Sequence, residues 1–201
     1  MINVLLTGVG GQGTVLAAKV LAQAAQSKGW QVRTAETIGM AQRGGSVISH
    51  VRMGSDGEQV HAPLLTRGTA DLVIAFEPGE AARVLPFLAP DGVLVTATTP
   101  VQPVTAALSK EPYRAADVLR GIKGALGARQ VLVPVDDAAL TEQAGNRKAL
   151  NTVLLTCAIA QDHIPVTVEE LKGALAACVK PRFVEMNLQA VDKTLATLSV
   201  R

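Results

Sequence analysis

Residues 8–13 read Gly-Val-Gly-Gly-Gln-Gly, between the apolar run Ile2–Leu6 and a helical pattern that begins near Val15. A strand, a glycine turn and a helix in that order gather backbone N–H groups at the positive end of a helix dipole, a ready anion site. Glycines let the chain turn without a Cβ clash and let another group approach the backbone closely. Gly8, Gly10 and Gly13 fit the dinucleotide spacing G-x-G-x-x-G, and Glu36 follows near the end of a second expected strand, where a ribose ligand would stand. A tight strand-to-helix turn in an α/β sheet needs the same glycines for packing alone, so both readings stand at this level. Gln12 replaces the usual small filler with a side-chain amide able to bond a ligand or the neighbouring loop.

Hydrophobic residues make up 48% of the 201 positions, yet Trp30, Phe76, Phe87, Tyr113 and Phe183 are the only aromatics. A core of that size must be built from Val, Leu, Ile and Ala, as in sheets covered on both faces. The length suits one substantial domain. A net charge of +2 with so few aromatics speaks against nucleic-acid binding. Cys157 and Cys178 are the only cysteines and form no CxxC pair, so the chain alone offers no ligand set for an iron–sulfur cluster or structural zinc. Both are expected as buried thiols in a reducing compartment. No charged segment precedes an apolar stretch at the N-terminus, and the longest apolar run, Thr152–Ala160, is far short of a membrane span. These features predict a cytoplasmic protein with no membrane partner.

The pattern along the chain predicts strands at Ile2–Thr7, Gln31–Glu36, Val47–Met53, Leu72–Phe76, Val93–Ala97 and Val131–Val135. Helices are expected at Val15–Ser27, Glu80–Leu88 and within Ser109–Ala128. Four more follow, at Ala138–Ala144, Lys148–Asp162, Val168–Val179 and Val184–Leu198. After the turn signal Gly54–Gly57, residues Gln59–Ala62 are expected to return as a short edge strand, making a hairpin with Val47–Met53. Strands separated by helices imply an α/β fold: a single domain, 1–201, with a mostly parallel Rossmann-like sheet covered by helices and a C-terminal helical segment.

A second glycine motif is less ordinary. In Met40-Ala-Gln-Arg-Gly-Gly-Ser46, Arg43 offers a planar guanidinium beside the permissive backbone of Gly44 and Gly45, suited to a phosphate, a carboxylate or a partner's acid. His50 and Arg52 follow on one side of the next strand and are expected near the same end of the sheet. His50 is a candidate for acid–base chemistry, against the commoner role of a hydrogen-bonded structural histidine. Asn146 reads as a helix cap, and Asn151, inside an apolar helix, wants a buried partner. Glu185 and Asn187 read as surface positions on the last helix.

Gly8-Val-Gly-Gly-Gln-Gly13 with Ala17-Ala18, followed by Arg43-Gly-Gly-Ser46 and His50-Val-Arg52, resembles the gamma domain of 2-oxoacid:ferredoxin oxidoreductases. Gly39-Met-Ala-Gln-Arg-Gly-Gly-Ser-Val47 is most similar to the small (beta) subunits of the indolepyruvate type. The resemblance spans nearly the whole chain, through Asp71-Leu-Val73, Glu77, Asn146–Asn151 and Glu185-Met-Asn187. It implies a hetero-oligomeric enzyme that oxidatively decarboxylates a 2-oxoacid to an acyl-coenzyme A and passes electrons to ferredoxin. It also implies thiamine diphosphate and iron–sulfur clusters on a larger partner subunit, coenzyme A as co-substrate, and an isolated chain inactive by itself. No residue here is then catalytic or metal-binding. Gly8, Gly10, Gly11, Gln12, Gly13, Arg43, Gly44 and Gly45 become the candidates for lining a cofactor route or the subunit interface. The glycine turn and Glu36 keep two alternatives open: a stand-alone NAD(P)- or flavin-dependent Rossmann oxidoreductase, and a nucleotide-binding regulatory module.

Overall fold

Alternation with a period of two divides the central strands between two cores. In β1 (Ile2–Val9), Val4 and Leu6 enter one core and Leu5 the other, and in β4 (Ala70–Ala75), Leu72 and Ile74 oppose Val73 and Ala75. Both strands are therefore covered on both faces. A computed structural model describes residues 1–39, 44–102 and 113–199. The remaining strands are β2 (Gln31–Ile38), β3 (Ser46–Gly54), β5 (Leu88–Ala97) and β6 (Val131–Val135), in the spatial order β2-β3-β1-β4-β5-β6. The three pairings β1–β4, β4–β5 and β5–β6 are parallel, and β1–β3 and β2–β3 are antiparallel. The fold is thus the expected α/β sheet, mostly parallel, with an antiparallel edge.

The helices are α1 (Thr14–Ser27), α2 (Pro78–Val84), α3 (Ala115–Ala125), α4 (Asp137–Gln143), α5 (Leu150–Ala160), α6 (Val168–Cys178) and α7 (Val184–Leu198). Helices α1, α5, α6 and α7 cover one face, and α2 and α3 the other. Helix α5 is buried along nearly its whole length, which explains its continuous apolar sequence. Thr167 and Glu170 start α6 with a reciprocal capping box, and Lys28 Nζ donates to Glu170 at 2.9 Å, docking α6 beside the end of α1. Asn187 is buried rather than exposed: its Oδ1 accepts the Thr152 hydroxyl at 2.6 Å and its Nδ2 donates to Phe183 O at 2.7 Å. One amide thereby joins α5 to α7.

Several expectations need correction. Residues 59–62 form no strand; the antiparallel partners of β3 are β1 and β2. Both edges of β3 are already occupied, so the returning segment is held by side chains, Arg33 Nε donating to Val60 O at 3.3 Å and Arg52 Nη1 to Ala62 O at 2.8 Å. Arg52 pairs in register with Asn3 whereas Ser46 pairs with Val9, so Arg52 lies roughly 20 Å along the strand from the glycine motifs. Strand β5 begins at Leu88, five residues ahead of the expected Val93, because its first residues pair with the start of β4. Residues 109–112 of the expected third helix lie outside the described residues.

His50 is buried mid-strand against Phe87, and its Nδ1 accepts the Leu65 N–H at 3.2 Å. That bond requires the neutral ring, and burial pushes its pKa below the ordinary histidine value. A lowered folded-state pKa means that the unfolded chain binds the proton more tightly. The stability gained from His50 is therefore complete above the ordinary histidine pKa and is lost as pH falls through the folded value. Urea melts across that interval are expected to show a smaller loss of stability on acidification for His50→Gln than for wild type, and His163, also lowered by burial, contributes equally to both chains. Asn187→Ala is expected to destabilise by about 1–3 kcal/mol, because it strands the buried Thr152 hydroxyl. Adding Thr152→Val should recover part of that loss in a double-mutant cycle.

Candidate functional site

The carboxyl ends of β1, β4, β5 and β6 open toward the glycine turn. Open α/β sheets bind ligands at that end. Strand β1 finishes at Val9, and the turn through Gly11 (φ +102°) and Gly13 (φ +84°) places Thr14 at the start of α1. Both dihedrals lie in the left-handed region that favours glycine. Gln12 Oε1 accepts the Val9 N–H at 2.7 Å, and its Nε2 donates to Phe76 O at 2.8 Å. The amide is thus committed to the chain, the loop-bonding role weighed from the sequence. Gly8 is buried, and a Cβ there would sit 2.8 Å from Gln12 Oε1 and 3.0 Å from Phe76 Cβ. Its role is close packing.

The two glycine motifs meet. Gly10 N–H donates to Gly45 O at 2.9 Å, and Gly39 N–H to Ser46 O at 2.8 Å. The Ser46 hydroxyl donates to Glu80 Oε2 at the start of α2. The loop after β1 and the loop before β3 are therefore joined at Gly10 and Gly45, with Gly44 exposed beside them. Met40–Arg43, and with them the candidate Arg43, lie outside the described residues. Glu77 caps α2 through Oε2, while its Oε1 accepts the Tyr113 hydroxyl at 2.7 Å and the Val101 N–H at 3.3 Å. Burial and the Glu77 carboxylate push the Tyr113 pKa well above the ordinary tyrosine value, so the phenol stays a donor.

Gly11, Gln12 and Gly13 form one wall of a cleft of about 730 Å³. The opposite wall comes from residues the sequence reading treated as ordinary: the turn Arg147–Ala149 with the start of α5, and the stretch from Cys178 to Asn187 between and along α6 and α7. Leu16, Leu150, Phe183 and Met186 supply apolar surface; Arg147, Lys148 and Lys180 supply charge. Asn151 is 5% exposed, and its carboxamide packs over the Gly13 position, where a Cβ would meet Nδ2 at 3.1 Å. Its sequence signal, a polar residue one step into an apolar helix, was visible, but its neighbour Gly13 was not. Cys178 is half-buried at this cleft instead of fully buried, and desolvation raises its pKa. A smaller hollow of about 180 Å³, beside Asp137 and Thr99, shares Gln12, Arg147 and Leu150 with the cleft.

Glu36 does not join this site. It is exposed on β2, the sheet's edge strand, and β3 lies between β2 and β1. Two inter-strand spacings, roughly 10 Å, separate it from the strand that carries the glycine turn. A ribose gripped at the turn requires its acid on the adjacent strand. Among the described residues no group of three or more His, Cys, Asp or Glu is placed to hold a metal, and no helix is long and apolar enough to cross a membrane.

Residues 3–197 match the family model for pyruvate ferredoxin/flavodoxin oxidoreductase. The indolepyruvate oxidoreductase subunit IorB of Archaeoglobus fulgidus is 35% identical over 190 residues, covering 94% of this chain and 92% of the relative. The gamma subunit of a keto/oxoacid ferredoxin oxidoreductase from Geobacter sulfurreducens matches in fold over the whole of both chains, with a TM-score of 0.69 at 19% identity. The 2-oxoglutarate:ferredoxin oxidoreductase of Magnetococcus marinus matches all of this chain with 31% of its own, at a TM-score of 0.72 and 18% identity. With the fold, the meeting of the two glycine motifs and this near-complete coverage in agreement, the chain belongs to the pyruvate ferredoxin/flavodoxin oxidoreductase family.

Proposed function

We propose that this chain is the small subunit of a cytoplasmic 2-oxoacid:ferredoxin oxidoreductase acting on an aryl 2-oxoacid of the indolepyruvate type. The observation that carries the reading is collinearity: IorB subunits named for indolepyruvate oxidoreductase align with 94% of the chain at 34–35% identity. In the assembled enzyme a 2-oxoacid and coenzyme A give an acyl-coenzyme A and carbon dioxide, and the electron pair released passes one electron at a time to ferredoxin. Thiamine diphosphate on the partner subunit supplies the carbanion chemistry, and its iron–sulfur clusters supply the electron path. The donor set of this chain does not fit a cluster: one cysteine is buried inside α5 and the other ends α6. Its contribution is structural complementarity to the partner and a wall for the co-substrate. Gly10–Gly13, with Gly44 and Gly45 against them, present backbone at that wall; Gly8 and Gln12 hold it in shape, and Arg43 is proposed to face the partner or a phosphate.

Co-expression with a thiamine- and cluster-bearing large chain tests this. The tagged small chain should retain that partner through purification. Coenzyme A-dependent reduction of a viologen dye by an aryl 2-oxoacid should require both chains, with the small chain alone colourless and inactive. A stable lone chain with NAD(P)H- or flavin-dependent turnover would overturn the assignment.

A pair of glycine variants separates backbone strain from function. Gly13→Ala and Gly29→Ala both force alanine into the left-handed region, but only the first meets a neighbour, Asn151. Each should destabilise the chain by about 1–2 kcal/mol from strain, with Gly13→Ala adding a steric share. Assembly or the Michaelis constant for coenzyme A should change for Gly13→Ala alone. Equal assembly and kinetics for the two variants would remove the turn from the site.

A further inference from the structure

The two edges of the sheet are built differently. Strand β6 is five residues long and carries Pro134, which removes one N–H from that edge. Strand β2 is eight residues long, has no proline or glycine, and pairs with β3 in unbroken register. The Gly39 N–H donates to Ser46 O just beyond that ladder. Bonded pairs alternate along an antiparallel ladder. Gln31, Arg33, Ala35 and Thr37 therefore turn their backbone groups toward β3, and Val32, Thr34, Glu36 and Ile38 turn theirs outward, where the sheet has no further strand. On the α1 side of the sheet, Val32 is half-buried against the core and Ile38, on the same face, is 65% exposed.

This edge is complementary to itself. A two-fold axis perpendicular to the sheet pairs two β2 strands antiparallel and keeps each side chain on its own face. With Ala35 on the axis, Val32 stands opposite Ile38 of the second copy and Thr34 opposite its Glu36. Every outward N–H of one copy then meets an outward C=O of the other, and the exposed Ile38 gains an apolar neighbour. Other two-fold registers fail. An axis at Arg33 or at Glu36 sets like charges directly opposite, and an axis at Thr34 sets Val32 against Glu36 and carries Ile38 past the start of the facing strand. In the register centred on Ala35 the two Glu36 side chains lie only on the diagonal, in solvent, and Arg33 faces Thr37 on the opposite face. We propose that β2 is a homodimer interface, at which a second copy of this chain extends the sheet across the Ala35 axis. The inference is independent of the function proposed above.

Analytical ultracentrifugation of the full chain tests it. Monomer and dimer should exchange with a dissociation constant in the micromolar range, since one strand pair is a small interface. Thr34 is exposed and faces Glu36 of the second copy, so Thr34→Lys should tighten the dimer and Thr34→Glu loosen it. The two constants should differ by about tenfold or more, with the melting temperature of the dilute monomer nearly unchanged. Cross-linking fixes the register. Two Ala35→Cys chains meet on the axis in a non-bonded pair with Cα atoms about 4.5 Å apart, within reach of a disulfide. Two Thr37→Cys chains stand four residues out of step, roughly 13 Å apart. Mild oxidation should therefore join two small chains for Ala35→Cys and not for Thr37→Cys or wild type, both alone and co-expressed with the large chain. A monomer up to millimolar concentration, equal constants for the Lys and Glu variants, or equal cross-linking at positions 35 and 37 would overturn the proposal. So would a strand of the large chain protecting this edge, seen as loss of that partner in Thr34→Pro with no small-chain dimer in wild type. A chain that dimerises yet recruits no large chain would refute the subunit reading and leave this one standing.

Discussion

The carboxamide of Gln12 spans the joint between the two central strands, accepting from Val9 N–H and donating to Phe76 O. Backbone groups at this depth cost about 1–3 kcal/mol each when left without a partner. One side chain with an acceptor on one side and donors on the other satisfies both. The same placement dictates its neighbours. Gly8 carries no side chain because Gln12 Oε1 and Phe76 occupy the space a Cβ would need, and the turn around Gln12 passes through left-handed Gly11 and Gly13 to start α1. The direction of α1, and with it the wall of the cleft, follows from that joint.

The helix starts of the chain differ in how their leading N–H groups are satisfied. Glu77 caps α2, Asp136 caps α4 and Thr167 caps α6, each satisfying an N–H from a side chain. Helices α1 and α5 have neither a side-chain cap nor an acid in the first turn. The glycine turn that starts α1 lines one cleft with Arg147, Lys148 and Lys180, and no carboxylate is in that lining. Like charges gathered around a hollow repel one another.

Much of the architecture was legible because it rests on local rules. The period-two alternation of β1 and β4, the apolar run that became α5 and the Pro-bounded start of α6 all mark elements within a few residues of their observed limits. The errors came where pairing decides. Gly54–Gly57 is a sound turn signal, yet no hairpin follows it, since β3 already has β1 and β2 along its two edges. Glu36 has the sequence separation of a ribose ligand, but a strand inserted between β2 and β1 carries it away. Asn187 looked like a surface residue because its helical face is set by α5, which no local pattern specifies.

By itself the sequence determined most of the element types, the two-sided core, the glycine turn after β1 and the lack of a cysteine set for a cluster. These depend on backbone conformation and on residue chemistry within a few positions. Only the tertiary structure decided that Gly10 meets Gly45, that Asn151 covers Gly13, and that three cations from two separate turns face the N-terminus of α1. Those relations join residues more than thirty positions apart. Their geometry is a product of sheet order and helix packing, which the spacing of residues along a chain does not encode.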